Sequence, residues 1–282
     1  MDIQRFKPHL PWITLVVLVA IVGINDPGFL RPSNLLGIAG DIVPLFIMAL
    51  GLTFAIYIGG IDLSAQSMAN MVTVIASVYL ASMGAWVAVV CVLAGFLLGG
   101  LSGFVTTRLY VPSFISTLAV GGIAFSIAQW LSGQRALNMD ATQRNETFGW
   151  MIGRIWGVPN ELLIAAVLVL ACLFIERRTT LGRALKAVGA GELAAAASGL
   201  NVARYKILAF AISGALAAIA GLLFAVKLSG GAPTIAIGFL LPAIVAVLVG
   251  GTPLTGGVGG VVNTVVGTLI VAVIRASMLY FE

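Results

Sequence analysis

The side chains that could do acid–base, nucleophilic or metal chemistry are few in this sequence, and they are dispersed. One histidine (His9), two cysteines (Cys91 and Cys172) and ten carboxylates are spread over 282 residues. A metal centre needs such ligands at set spacings, and an enzyme site needs a nucleophile beside a base. Neither pattern appears. Cys91 and Cys172 each lie inside an apolar run, with no disulfide framework in the spacing, and read as small buried hydrophobes. No Gly-x-x-x-x-Gly-Lys-Ser/Thr phosphate cradle is present, so ATP would have to bind elsewhere. No catalytic residue, metal ligand or resident cofactor is expected on this chain.

Three other segments carry information. Gly59-Gly60-Ile61-Asp62-Leu63-Ser64 closes one apolar run. Paired glycines stop a helix because they lack the Cβ penalty on unusual dihedrals, and Asp62 and Ser64 can cap the helix that follows. A well-made interhelical turn would account for these residues equally well. Gly250-Gly251-Thr252-Pro253-Leu254-Thr255-Gly256-Gly257 echoes that segment after a later run. Glycine-interrupted spans at corresponding places in two halves point to transporter pathways. The third segment runs from Gly182 and Arg183 through Gly189, Glu192, Ala195 and Ser198 to Gly199. Residues 192–198 favour helix, and Gly199 is placed to stop it. Such a small-faced helix suits a groove on another protein, or serves as an amphipathic connector.

The elements that must position these residues follow from composition. The sequence is 60% hydrophobic and 9% charged, whereas a soluble domain carries about 25% charged residues. A helix crossing the hydrocarbon core needs about 20 residues, and apolar runs of that length mean helices. Nine spans are expected, over 10–25, 34–58, 66–83, 85–107, 112–131, 160–176, 207–227, 234–250 and 258–279. The fold class is therefore an all-α, polytopic transmembrane bundle. The first run ends in Asn25-Asp26-Pro27 instead of a small-residue cleavage site, and is expected to be a retained span.

The net charge of +5 reflects basic residues flanking spans, not a nucleic-acid surface. With the N-terminus inside, the inner ends hold Arg5, Lys7, Arg108 and the dense cluster Arg177, Arg178, Arg183, Lys186, Arg204 and Lys206. The outer ends then hold Arg31, Arg135, Arg144, Arg154, Lys227 and Arg275. The inner bias predicts a cytoplasmic N-terminus. Gly95, Gly99 and Gly103, and later Ala217-x-x-x-Gly221, form stripes that let helices approach closely in lipid.

Taken together and in this order, the three segments resemble the ribose-type permease family of ABC importers. That family shows an early Gly-Gly-Ile-Asp-Leu-Ser turn, then a Gly-Arg-x-x-x-Ala-Val-Gly loop running into paired alanines and Ser-Gly-hydrophobic-Asn-Val. Its late turn reads Gly-Gly-Thr-x-Leu-x-Gly-Gly. The approach Phe29-Leu30-Arg31-Pro32-Ser33-Asn34-Leu35 also matches, and the similarity runs from about residue 28 to 275.

The resemblance implies one transmembrane permease domain over 1–282 in a bacterial inner membrane, with a cytoplasmic coupling loop at 177–206. It implies two ATPase subunits that carry ATP and Mg, an external (periplasmic or extracellular) solute-binding protein, and a second permease subunit. The segment from Gly189 through Gly199 becomes the helix that meets the ATPase. Two departures stand out. Relatives carry Glu and Asp where this chain has Leu240 and Pro242. They also usually have a tenth span, so a longer chain or a neighbouring subunit is expected to supply it.

The mechanism implied is ATP-driven alternating access, which needs a bistable bundle and no reactive residue. Neutral polyols suit a path of scattered polar and aromatic groups: Asn70, Thr73, Phe114, Ser116, Gln129 and Asn263. Interhelical hydrogen bonds worth about 1 kcal/mol each are the other reading of the polar ones. Asp41 lies about two turns into the second span, and ionisable groups within a span are functional candidates by default. Other solutes stay open at this point: a furanose signal, a nucleoside or an amino acid. So does a different class, an ion-coupled secondary carrier, although such carriers pair charges deep in the membrane and only Asp41 qualifies here.

Overall fold

A computed structural model describes residues 9–280, with side chains described through Met278; Arg5 and Lys7 lie outside the described residues. The helices are α1 (Leu10–Asn25), α2 (Pro32–Tyr57), α3 (Ala65–Met83), α4 (Trp86–Arg108), α5 (Ser113–Ser132), α6 (Ala141–Ile152) and α7 (Asn160–Arg178). They continue with α8 (Thr180–Ala190), α9 (Glu192–Ala197), α10 (Val202–Lys227), α11 (Leu240–Val249) and α12 (Val261–Tyr280). The strands are two-residue pieces: β1 (Leu137–Asn138), β2 (Arg154–Ile155), β3 (Val158–Pro159) and β4 (Gly230–Gly231). β1 pairs antiparallel with β4, and β2 with β3. The architecture is the expected all-α membrane bundle.

Each predicted span finds a helix, but the helices are unequal. α2, α4, α5, α10 and α12 are long and apolar enough to cross a membrane. α3 and α7 have 19 residues each, about 28 Å at 1.5 Å per residue, and carry polar or charged positions. α1 has 16 residues.

The largest correction falls on 234–250. Only Leu240–Val249 is helical there, about 15 Å of helix, half of what a bilayer requires. The segment before it turns repeatedly, with Gly238 at φ +91°. Its backbone is held by side chains of α3: Ala236 N–H donates to Asn70 Oδ1 at 2.6 Å and Ala232 N–H to Thr73 Oγ1 at 3.2 Å. Irregular backbone survives at membrane depth when protein satisfies it in this way. Leu240 is buried at the start of the half-helix. Pro242 sits in its first turn, where a missing N–H costs no intrahelical bond. The loop expected at 177–206 is mostly helical, and the polar stretch 132–160 contains α6.

α2 and α10 form the centre, buried from Ile42 to Tyr57 except at the half-buried Phe46, and over most of Ala209–Val226. The glycine stripe of α4 lies against α10. A Cβ on Gly99 would strike the Phe210 carbonyl, and one on Gly103 would lie 2.6 Å from Ile207 Cα. Gly221 faces Ala69 of α3 in the same way. Leu93, Leu97 and Phe104 on α4, and Val167, Leu170 and Phe174 on α7, remain exposed, as a lipid-facing surface requires.

Candidate functional site

Three helices end by one device. Gly59 N–H bonds Ile56 O at 2.9 Å while Gly60 N–H bonds Ala55 O at 3.0 Å. Gly199 and Leu200 repeat this on Ala196 and Ala195, and Gly251 and Thr252 on Leu248 and Val247. The first glycine of each pair takes a positive φ: +69° at Gly59, +84° at Gly199 and +106° at Gly251. Each is a Schellman stop, in which a left-handed residue turns the last orphan carbonyls back onto the chain.

These stops bring the three sequence segments together. Gly257 N–H donates to Tyr57 O at 3.0 Å, so the late turn meets the end of α2 directly. A Cβ on Gly256 would lie 2.6 Å from Gly59 N, and one on Gly257 would lie 2.8 Å from Ala190 Cα. A Cβ on Gly189 would fall on the Tyr57 carbonyl oxygen. The two interrupted spans and the α8–α9 hairpin therefore share one glycine-lined junction.

The early turn is fully accounted for. Ile61 N–H donates to Ser113 Oγ and Leu63 N–H to Thr117 Oγ1, both at 3.1 Å. Asp62 is buried and accepts from Ser64 N–H at 2.9 Å, Ser64 Oγ at 2.5 Å and Ser213 Oγ at 2.6 Å. Ser64 makes no side-chain cap of α3. The expected capping role is corrected, because Asp62 instead ties the turn to the middle of α10. Pairing with donors is what makes a buried carboxylate tolerable.

The α8–α9 hairpin is braced at its base and bare at its tip. Thr179 Oγ1 caps α8 by accepting from Gly182 N–H at 3.2 Å, and Gly182 lies too close to the Ile175 and Glu176 carbonyls for any side chain. Arg183 is exposed. In α9 only Ala195 is buried, while Leu193 is 89% exposed and Ser198 lies on the surface. Glu192 pairs with Lys206 Nζ at 2.5 Å, and Asn201 Oδ1 caps α10 through Arg204 N–H at 3.1 Å. Beneath the hairpin a cavity of about 500 Å³ is lined by Gly59, Gly60, Tyr110, Glu192, Lys206 and Phe210, among others.

The polar positions proposed for a pathway are not gathered in one cavity. Asn70 and Thr73 hold the segment before α11. Ser116 Oγ pairs with Thr106 Oγ1 at 2.5 Å, and Asn263 Nδ2 donates to Gly250 O at 2.8 Å. Gln129 is half-buried and Phe114 exposed on α5. Asp41 is exposed and bonds Lys227 Nζ at 3.2 Å. That ammonium also reaches Glu161 at 3.0 Å and Gly40 O at 3.1 Å. Asp41 further lines a cavity of about 270 Å³ with Phe239 and Arg275, whose guanidinium carbon lies 4.8 Å from the Phe239 ring centre.

One residue central to the junction is absent from the sequence-based set. Glu176, on the last turn of α7, is buried and accepts from Lys186 Nζ at 2.7 Å and Val261 N–H at 3.0 Å. An acid opposes the negative end of a helix dipole, so it needs strong partners there. That mismatch beside Arg177 and Arg178 is the signal by which the sequence could have marked it. No cluster of three metal-ligating side chains occurs among the described residues.

The structure is thus a helical membrane bundle in which two glycine-broken spans meet the α8–α9 hairpin. The chain matches, over residues 34–282, the family model described as branched-chain amino acid transport system / permease component, and it belongs to that family. It is 37% identical to the ribose import permease protein of Escherichia coli strain K12 over 261 residues, covering 92% of this chain and 81% of that one. Identity to the Haemophilus influenzae ribose import permease is 34%, over 95% of this chain and 84% of the relative. The xylose transport system permease of Escherichia coli K12 is 30% identical, with 91% and 83% covered. No solved structure matches the chain. The ribose-type resemblance read from the motifs is thereby established, and the chain is a multi-pass membrane transport subunit.

Proposed function

We propose that this chain is the membrane-crossing subunit of an ABC importer for a monosaccharide, working by ATP-driven alternating access. The observation that carries this is the junction where Gly189 of the inner hairpin packs against Tyr57 and Gly257, at the ends of both broken spans. A hairpin so placed turns a push from outside the membrane into relative motion of the two breaks, which a bistable bundle converts into opening and closing. Relatives named as ribose and xylose permeases support the sugar class.

In this account the N-terminus is cytoplasmic and the whole chain is one permease domain. Residues 177–206 form the cytoplasmic coupling loop, and its segment from Gly189 through Gly199 meets a partner ATPase that holds ATP and Mg. Gly182, Arg183, Gly189, Glu192, Ala195, Ser198 and Gly199 build the docking hairpin. Gly59, Gly60, Asp62 and Ser64, with Gly250, Gly251, Gly256 and Gly257, are the gating turns. An external solute-binding protein delivers the sugar, and a second permease subunit completes the path. Asp41, Phe239 and Arg275 form its outer mouth, where a carboxylate, a guanidinium and an aromatic face suit a neutral polyol. Asn70, Thr73, Phe114, Ser116, Gln129 and Asn263 are the further candidates for the path through the bundle.

The test is uptake into proteoliposomes holding the assembled transporter and its binding protein. Labelled ribose or xylose is expected to accumulate with ATP, while leucine and uridine are not. Accumulation of leucine or uridine in preference to either sugar would contradict the sugar assignment.

A further inference from the structure

Glu176 is a buried carboxylate that none of the roles above uses. Its two oxygens serve different elements. Oε1 accepts from Lys186 Nζ of α8 at 2.7 Å, and Oε2 accepts from Val261 N–H, the first residue of α12, at 3.0 Å. The Glu176 side chain is 5% exposed, whereas its partner Lys186 is partly open to solvent. Tyr57, the last residue of α2, completes the cluster. Its hydroxyl faces the same carboxylate and donates to Gly259 O at 3.3 Å, and Lys186 Nζ lies 5.5 Å from its ring centre. Gly260 leaves the space for this: a Cβ there would lie 2.6 Å from Glu176 Oε1 and 2.7 Å from the Tyr57 hydroxyl.

The start of α12 is thus capped from another helix. Thr252 Oγ1 takes Gly260 N–H at 3.1 Å, and Glu176 takes Val261 N–H. A carboxylate at a helix N-terminus is favoured by the orphan N–H groups and the dipole there. Here that carboxylate is also tethered to the hairpin that carries α9. Lys186 and Gly189 lie on the same short helix α8, about 4.5 Å apart along its axis. Any tilt of α8 therefore acts on α12 through the Lys186–Glu176 pair and on α2 through Gly189.

We propose that Glu176 is the transmission residue of the transporter: a positioning residue that passes hairpin movement to the start of α12, so that ATP hydrolysis and solute movement stay coupled. This rests on the importer reading above and names the side chain through which that importer is driven. Neutralising Glu176 leaves the tip of α9 and its Glu192–Lys206 brace untouched, so ATPase docking persists. What is lost is the charged link between α8 and α12.

The experiment measures ATP hydrolysis and labelled ribose or xylose uptake together, in proteoliposomes of the complete transporter, for Glu176→Gln, Lys186→Gln, Glu176→Asp and the unaltered protein. Glu176→Gln and Lys186→Gln are expected to keep the ATPase bound and hydrolyse ATP within about two-fold of the unaltered protein. Uptake should fall at least ten-fold, raising the ATP used per sugar by the same factor, and Glu176→Asp should restore part of the loss. If Glu176→Gln fails to insert, Lys186→Gln carries the test, since Lys186 is 38% exposed and its loss removes only the pair with Glu176 and the contact with the Tyr57 ring. Uptake and hydrolysis falling in parallel, with an unchanged ratio, would overturn the proposal, as would unchanged uptake in Lys186→Gln. A failure of the importer reading shows separately, because the unaltered protein would then move no sugar with ATP.

Discussion

Gly257 and Tyr57 are 200 positions apart in the chain, yet the N–H of one donates to the carbonyl of the other at 3.0 Å. That bond closes a seam between the two interrupted spans, and Gly189 fills the remaining space with backbone alone. A seam made largely of backbone is tight, and the Tyr57 hydroxyl also crosses it by donating to Gly259 O at 3.3 Å. It can hold two helix ends together in one state and release them in another.

The seam tolerates no side chain at Gly189. Gly189→Val should lower the midpoint of thermal unfolding in detergent by several degrees, as overpacking of about 1–3 kcal/mol requires, and should abolish uptake. A variant with unchanged melting and uptake would contradict the packing described here.

At the hairpin tip, Gly199→Pro cannot keep φ +84°, because proline fixes φ near −65°. Glu192→Arg replaces the partner of Lys206 with a like charge. Both variants should insert into the membrane at normal levels yet lose solute-stimulated ATP hydrolysis by at least ten-fold. Normal stimulation in both would remove the docking role of α9.

Asn70 secures the irregular segment before α11 by accepting Ala236 N–H. Asn70→Ala leaves that buried donor unpaired, a cost of about 1–3 kcal/mol. Protease sensitivity of residues 232–239 and the melting midpoint report this directly. An intact segment with unaltered melting would show that Asn70 is not its anchor.

Asp41→Asn removes a carboxylate that lines the cavity with Phe239 and Arg275. Sugar uptake at low substrate should fall about ten-fold, with little change in membrane level. Uptake and its pH dependence identical to the unaltered protein would exclude Asp41 from the path.

The parts of the structure that were legible in the sequence are those set by local chemistry. Gly59, Gly199 and Gly251 are readable as helix stops because a left-handed residue is a property of one position. Long apolar runs are readable as helices for the same reason. The half-helix at Leu240–Val249 is not. Ile235, Ile237 and Phe239 keep that stretch apolar, while the side chains that hold it unwound, Asn70 and Thr73, lie more than 150 residues earlier. Glu176 escaped for a similar cause: one partner follows ten residues later and the other 85. Asn70 and Thr73 were legible as costly polar residues in a span, whereas the backbone groups they hold belong to tertiary structure.

The most direct measurement is labelled ribose and xylose uptake in cells that carry this chain and its binding protein but lack every cognate ATPase subunit, compared with cells in which the ATPase is restored. Uptake is expected at background without the ATPase and to recover fully with it. Uptake at the full rate in the ATPase-free cells would contradict ATP-driven transport.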